Sequence, residues 1–195
     1  MLKVKYNVKE SKCLRRTTMA KKYYATITLT NDKKINLCLD SAVAPKSVEQ
    51  FVTLAKKDFY NGTIFHRIID NFMIQTGGYK IENNSLMEMD EVQSISGEFA
   101  SNGFKDNTLS HDVGVISMAR TNDKNSATSQ FFICSAKCPW LDGEYAAFGY
   151  AVDQESKDVV KEVAKTPTYA PHPAFSDFPQ EPIGIKQVEI TKEEE

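Results

Sequence analysis

The segment Phe65-His66-Arg67-Ile68-Ile69-Asp70-Asn71-Phe72-Met73-Ile74-Gln75 narrows the fold more than any other stretch of this chain. Large apolar residues run at strand spacing on both sides of Asp70-Asn71, a turn-forming pair. Side chains alternate faces along a strand, so Arg67 is expected beside Phe65 and Ile69, and Met73 beside Gln75. Two such strands aim a guanidinium and a carboxamide at one apolar floor. A permanent cation beside hydrophobic surface is costly without a partner, so the pattern asks for a bound polar group.

The remainder is also rich in short strands. Residues 23–30 (YYATITLT) and 33–39 (KKINLCL) alternate around Asn31-Asp32 and read as a hairpin. Pro45 opens a helix, with Val48, Phe51, Val52, Ala55 and Phe59 at helical spacing. Residues 77–110 read as loop, with Asn83-Asn84, Ser96-Gly97 and Asn102-Gly103 as breakers. Residues 113–119, 130–134 and 146–152 are buried-strand candidates, and 184–191 a closing strand. Val159, Val160, Val163 and Ala164 mark a second helix that stops before Pro167. Five of the seven prolines crowd into 167–182, a loop whose conformation the sequence leaves open. No internal repeat is present. Many short strands with only two helices suggest a closed antiparallel barrel capped at its ends; a sandwich fits nearly as well.

Charge divides the chain. Residues 1–22 carry eight basic residues and one acid, Glu10, leaving 16 basic and 25 acidic residues in the remainder, a net −9. An acidic body argues against a nucleic-acid groove, and the basic arm reads as a flexible, solvated extension. Met19-Ala20-Lys21-Lys22 resembles a natural start, which makes 1–18 an upstream extension or a misplaced start. No apolar run is long enough for a secretory signal or a membrane span. Cys13, Cys38, Cys134 and Cys138 match no zinc spacing and no redox CxxC, so they read as thiols in a reducing cytosol. The organisation expected is therefore a basic extension over 1–22, one domain over 23–191 and an acidic tail over 192–195.

Two further segments complete a polar and aromatic set. One is Ser117-Met118-Ala119-Arg120-Thr121 with Ser126-Ala127-Thr128-Ser129-Gln130-Phe131-Phe132-Ile133. The other runs from Pro139-Trp140-Leu141-Asp142-Gly143 to Phe148-Gly149. With these in view, the chain resembles the cyclophilins, a family of peptidyl-prolyl cis-trans isomerases, from about Tyr23 to Thr191. FHRII, FMIQ, SMA, SQFFI and WLDG appear in family order and spacing. SMARTNDKNSATSQFFI is closer to the bacterial branch than to the short eukaryotic form.

The resemblance implies a mainly β fold: a closed eight-stranded antiparallel β-barrel capped by two α-helices. It implies rotation about X-Pro bonds in proline-containing peptides and in unfolded or flexible proteins, assisting their folding, with no cofactor and no metal. Arg67 matches the family's catalytic arginine, and Gln75 the glutamine that orients it. Phe72, Met73, Phe132 and Leu141 match the proline pocket. Gln130 and the backbone at Ala119-Arg120 match groups that grip the residues before proline. Trp140 matches the rim tryptophan that favours cyclosporin-type inhibitors, and Tyr145 stands where many members carry a histidine. A cytoplasmic monomer is expected, free of nucleic acid and membrane.

Departures from the family pattern are Asp70-Asn71 for the commoner Pro-Gly turn, Thr76 where glycine is usual, Arg120 where some members have asparagine and Tyr145 where many have histidine. His66 reads as a structural histidine, because amide rotation transfers no proton. His111 and His172 lie in polar stretches and receive no role. The alternative is a non-catalytic proline-peptide binding module, or holdase, using the same pocket; the intact Arg67 and Gln75 favour the enzyme. An isomerisation assay separates the two.

Overall fold

A computed structural model describes residues 20–194. The basic extension is thus almost wholly outside the described residues, as are Cys13 and Glu195. The first strand is β1 (Lys22–Leu29). In β1 the alternation expected from the sequence buries Ala25, Ile27 and Leu29. A hairpin with Asp32 in the left-handed region (φ 62°) joins it to β2 (Lys34–Asp40).

Helix α1 (Pro45–Ala55) follows, with proline in its first turn and Val48, Phe51, Val52 and Ala55 buried. Its first N–H groups have no local side-chain cap. They donate instead to Glu98, which accepts from Lys46 N (2.9 Å) and from the Ser47 N and Oγ (2.8 Å each). A carboxylate there satisfies orphan donors and sits at the positive end of the helix dipole. Phe51 then anchors an aromatic cluster with Tyr60, Phe131 and Phe148 at centroid distances of 5.2, 5.3 and 5.6 Å.

The expected hairpin at Asp70-Asn71 is formed by β3 (Arg67–Ile69) and β4 (Met73–Thr76), with Asn71 at φ 55°. Phe65 does not share the face of Arg67 and Ile69. The strand begins only at Arg67, and Phe65 is wholly buried in the main core, whereas Ile69 packs on a second cluster. Residues 77–110 are not all loop. Asn83 and Asn84, both left-handed (φ 50° and 59°), close a two-residue hairpin between β5 (Tyr79–Glu82) and β6 (Ser85–Glu88).

Then come β7 (Val115–Met118), β8 (Phe131–Cys134) and β9 (Ala147–Ala151). Helix α2 (Gln154–Ala164) is capped by Asp153, whose side chain accepts from Ser156 N at 2.7 Å. The short pair β10 (Thr168–Tyr169) and β11 (Phe178–Pro179) orders the ends of the proline-rich loop. The last strand, β12 (Ile185–Glu194), runs beyond Thr191 into the expected acidic tail. There Glu193 and Glu194 lie opposite Tyr23 and Lys22, and Lys21 reaches Glu193 Oε1 at 2.6 Å.

Eight strands form one antiparallel sheet in the order β12-β1-β2-β9-β7-β8-β4-β3. It is a half-barrel, not the closed barrel expected. The end strands β12 and β3 do not pair as a ladder; only the stretch before β3 bridges to the start of β12, at Ile64 and Gly184. The reason is local. The N–H of Ile68, on the free side of β3, donates to Asp177 O at 2.9 Å, so the proline-rich loop covers that edge. Among the described residues, no helix is long and apolar enough to cross a membrane.

Candidate active site

Strands β3, β4, β8 and β7 lie side by side, and their register arranges side chains in rows. Ile68, Ile74, Ile133 and Ile116 form one row, buried in the main core. The row shifted by one residue is Arg67, Gln75, Phe132 and Ser117, on the opposite face. Beside it run Ile69, Met73 and Cys134. Met73, Phe132, Cys134, Cys138 and Leu141 form a small apolar cluster of their own, separate from the main core.

On this face lies a pocket of about 90 Å³. Arg67, Phe72, Met73, Gln75, Ala119, Arg120, Phe132, Leu141 and Tyr145 line it. Of the site residues expected from the sequence, only Gln130 and Trp140 stand outside it. Gln130 lines an adjoining cavity of about 140 Å³, together with Gln75, Ala119 and Arg120. Trp140 is 61% exposed and meets Phe72 at the rim, with centroids 5.8 Å apart.

The polar contacts differ from those expected. Gln75 Nε2 donates to Gln130 Oε1 at 2.9 Å, and Arg67 Nε donates to Asp177 Oδ2 at 3.3 Å. Gln75 lies opposite Arg67 in register, yet its amide is directed to Gln130, just before β8. The Arg67–Asp177 contact belongs to a second, polar cavity of about 220 Å³, which Arg67 and Gln75 share with the pocket. Arg120 is held with its guanidinium carbon 4.4 Å from the Tyr145 ring centroid and 5.3 Å from that of Phe99. Its Nη2 donates to Glu144 O at 3.0 Å. Arg120 thus braces Tyr145.

Two histidines lie near the pocket. His66 is buried against Tyr79 (4.8 Å between centroids), and burial pushes its imidazole down to about 4. His111 is also buried, contrary to the polar-loop reading. Its Nδ1 is 2.9 Å from Asp142 Oδ1 and its Nε2 is 3.1 Å from Ser117 Oγ. A carboxylate only accepts, so Nδ1 carries the hydrogen and Nε2 accepts from the serine. Burial lowers the His111 pKa against the opposing pull of Asp142. The Asp–His–Ser order has the connectivity of a hydrolytic triad, but Ser117 is fully buried and no substrate reaches it. The network instead stacks His111 on Phe132 (6.1 Å, 17° between planes) and braces the pocket floor.

The pocket thus joins apolar walls to two arginines, Arg67 on the sheet and Arg120 at the loop that follows β7, and the chain that carries it has counterparts among known proteins. The family model described as cyclophilin type peptidyl-prolyl cis-trans isomerase/CLD matches residues 24–190. The chain belongs to the cyclophilin family of peptidyl-prolyl cis-trans isomerases. It is 38% identical over 166 residues to peptidyl-prolyl cis-trans isomerase A of Dickeya dadantii, covering 84% of this chain and 82% of that protein. It is 40% identical over 168 residues to a peptidyl-prolyl cis-trans isomerase of Acinetobacter baylyi, covering 83% and 82%. The crystal structure of a Cryptosporidium parvum cyclophilin type isomerase superposes with a TM-score of 0.68 at 25% identity, covering 88% of this chain and 98% of that one. A second structure of that protein, obtained in the presence of the dipeptide Ala-Pro, gives a TM-score of 0.66 at 26% identity, covering 87% and 99%.

Within this isomerase, the residues missed by the sequence reading are His111 and Asp177. His111 lies in a polar stretch, and Asp177 follows a run of exposed residues just before β11, so neither shows the periodicity that marks a packed position. Asp177 is 110 residues from Arg67, and His111 is 31 residues from Asp142, so no local pattern links either pair.

Proposed function

We propose that this isomerase turns X-Pro bonds of unfolded or flexible proteins in the pocket between Arg67 and Phe132, with Arg67 supplying the chemical step. An X-Pro amide is held planar by resonance, with a barrier of roughly 18–20 kcal/mol. Left alone it takes about tens to hundreds of seconds to isomerise. Rotation breaks no bond and moves no proton. In the twisted state the proline nitrogen becomes pyramidal and gains a lone pair. A fixed N–H donor aimed there binds the twisted amide more tightly than either planar form. Arg67 suits this, since it stays protonated and offers several donors in a plane.

The walls formed by Phe72, Met73, Phe132 and Leu141 hold the proline ring still while the acyl side turns. They also exclude water, which strengthens the guanidinium's field. Gln130, steadied by Gln75, and the backbone at Ala119-Arg120 grip the residues before proline. Such a groove reads little beyond proline, which suits broad assistance to folding. Trp140 at the rim offers a face for cyclosporin-type inhibitors. The free thiols of Cys38, Cys134 and Cys138 support a reducing, cytoplasmic setting.

The observation that carries this reading is the Arg67 guanidinium beside the apolar walls of Phe72, Met73, Phe132 and Leu141, in one sheet row with Gln75 and Phe132, while the pocket's other guanidinium, Arg120, is taken up by Glu144 O, Thr121 O and Tyr145. The test is Arg67→Ala in an X-Pro peptide isomerisation assay, with folding checked by circular dichroism. Loss of acceleration with the fold intact is expected. Full activity in the folded variant would remove Arg67 from the mechanism.

A further inference from the structure

Taking Arg67 as the catalytic group, we infer that Asp177, carried by the proline-rich loop, is the positioning residue that fixes the Arg67 guanidinium over the pocket. Asp177 Oδ2 accepts from Arg67 Nε at 3.3 Å. It also accepts from Ser176 Oγ at 3.0 Å, which fixes the carboxylate in turn. Engaging Nε leaves the terminal guanidinium nitrogens free for substrate. Asp177 lines the polar cavity and not the proline pocket, so it holds the guanidinium without entering the space the ring occupies.

The loop is itself tied to the strand that bears Arg67. The carbonyl of Asp177 accepts from Ile68 N at 2.9 Å, one residue along β3. On one side Phe175 packs edge-on against Tyr79 at 5.2 Å; on the other Phe178 is buried in β11 and packs on Phe175 at 5.8 Å. These contacts do not depend on the Asp177 side chain. A substitution there removes the carboxylate and leaves the loop attached.

Gln75 does not do this work, because its amide donates to Gln130. Nor is stability what the ion pair supplies: the Arg67 side chain is 44% exposed, and an exposed pair adds little to folding. What the pair supplies is order. A long arginine side chain has many rotamers, and a donor that must meet a transient lone pair acts best when already in place. A role through Arg67 predicts a fall in kcat with KM little changed.

The experiment compares four proteins by X-Pro peptide exchange: the parent, Asp177→Ala, Asp177→Asn, and Asp177→Ala combined with Arg67→Ala. Asp177→Ala is expected to lower kcat roughly tenfold with KM within about twofold. Asp177→Asn keeps an oxygen acceptor for Nε and is expected to restore most of the loss. On the Arg67→Ala background, removing Asp177 should cost nothing further. The Arg67 Nε–H nuclear magnetic resonance signal should exchange slowly with solvent in the parent and in Asp177→Asn, and rapidly in Asp177→Ala. An Asp177→Ala variant as fast as the parent, or faster, overturns the inference, as does an additional loss on the Arg67→Ala background. If Arg67→Ala alone keeps full activity, the reading of the site fails first. If Arg67→Ala is inactive while Asp177→Ala is unaffected, only the role of Asp177 fails.

Discussion

Along β3, β4, β8 and β7, neighbouring residues of the same strands face two different environments. One row, Ile68, Ile74, Ile133 and Ile116, is at most 1% exposed and apolar throughout. The other row, Arg67, Gln75, Phe132 and Ser117, runs from an exposed cation to a buried hydroxyl. A strand's two-residue period lets one short segment serve both. The inner row belongs to the main core, where α2 packs against β3 and β4. The outer row sets what meets a ligand. If the division is real, substitutions on the two rows should separate stability from rate.

The largest effects test that separation directly. Arg67→Ala should lower kcat/KM by about 10²–10³, the loss typical of a single transition-state donor. Its thermal midpoint should stay within about 2 °C, because an exposed ion pair contributes little. Ile74→Ala, one residue from Gln75, should do the reverse. Deleting a buried isoleucine costs about 2–5 kcal/mol, or roughly 5–15 °C for a domain of this size. Activity per folded molecule should be unchanged. Paired isomerisation assays and melting curves decide the matter; an Ile74→Ala variant that is stable but slow would erase the distinction.

A smaller effect sharpens the boundary between the faces. His66 is buried like the inner row but lines the polar cavity. Its imidazole ionises at about 4 in the folded protein against 6.5 in an open chain. The unfolded chain therefore binds the extra proton between those values, and stability must fall as pH falls through that window. Each pH unit costs about 1.4 kcal/mol, so about 2 kcal/mol should be lost between pH 6.5 and 5. His111, also lowered by burial, acts in the same direction. Urea unfolding at pH 7.5, 6.5 and 5 measures the slope, and His66→Gln should flatten it. A slope that His66→Gln leaves unchanged would show that His66 takes up its proton at the same pH in the fold as in the open chain.

These two faces also mark what could be read from the chain. The hairpin of Arg67 and Gln75 was legible because alternation and a turn pair act over a few residues. The stripes of α1 and α2 were legible for the same reason. The cap of α1 was not: Ala44 offers no side-chain acceptor, and Glu98 arrives from a remote loop. Asn83-Asn84 looked like a breaker, but two left-handed residues in a row make a hairpin turn. Closure of the sheet failed for a reason no periodicity reports, since the backbone of Asp177 occupies the edge of β3. At the pocket, residue identities along three segments were enough to assemble the walls. The partners of Arg67 and Phe132 that come from elsewhere, Asp177 and His111, became visible only when the chain was folded.

The smallest expected effect falls at the edge of the outer face. Trp140 is 61% exposed, in the short turn Pro139–Leu141, and its only ring partner among the described residues is Phe72. Folding gains little from such a residue, so Trp140→Ala should shift the thermal midpoint by no more than a surface change does, under about 0.5 kcal/mol. A bound peptide or macrocycle, however, would cover the exposed part of the indole. The aromatic contact then lost is worth about 0.5–1.5 kcal/mol, a weakening of roughly two- to tenfold. Because the indole sits beyond the pocket walls, the loss should fall on KM and on inhibitor affinity, with kcat retained. Titration of a cyclosporin-type inhibitor by calorimetry, beside steady-state kinetics, reads both. An unchanged affinity would mean that ligands do not extend past Phe72, and the recognition face would then end at the pocket wall.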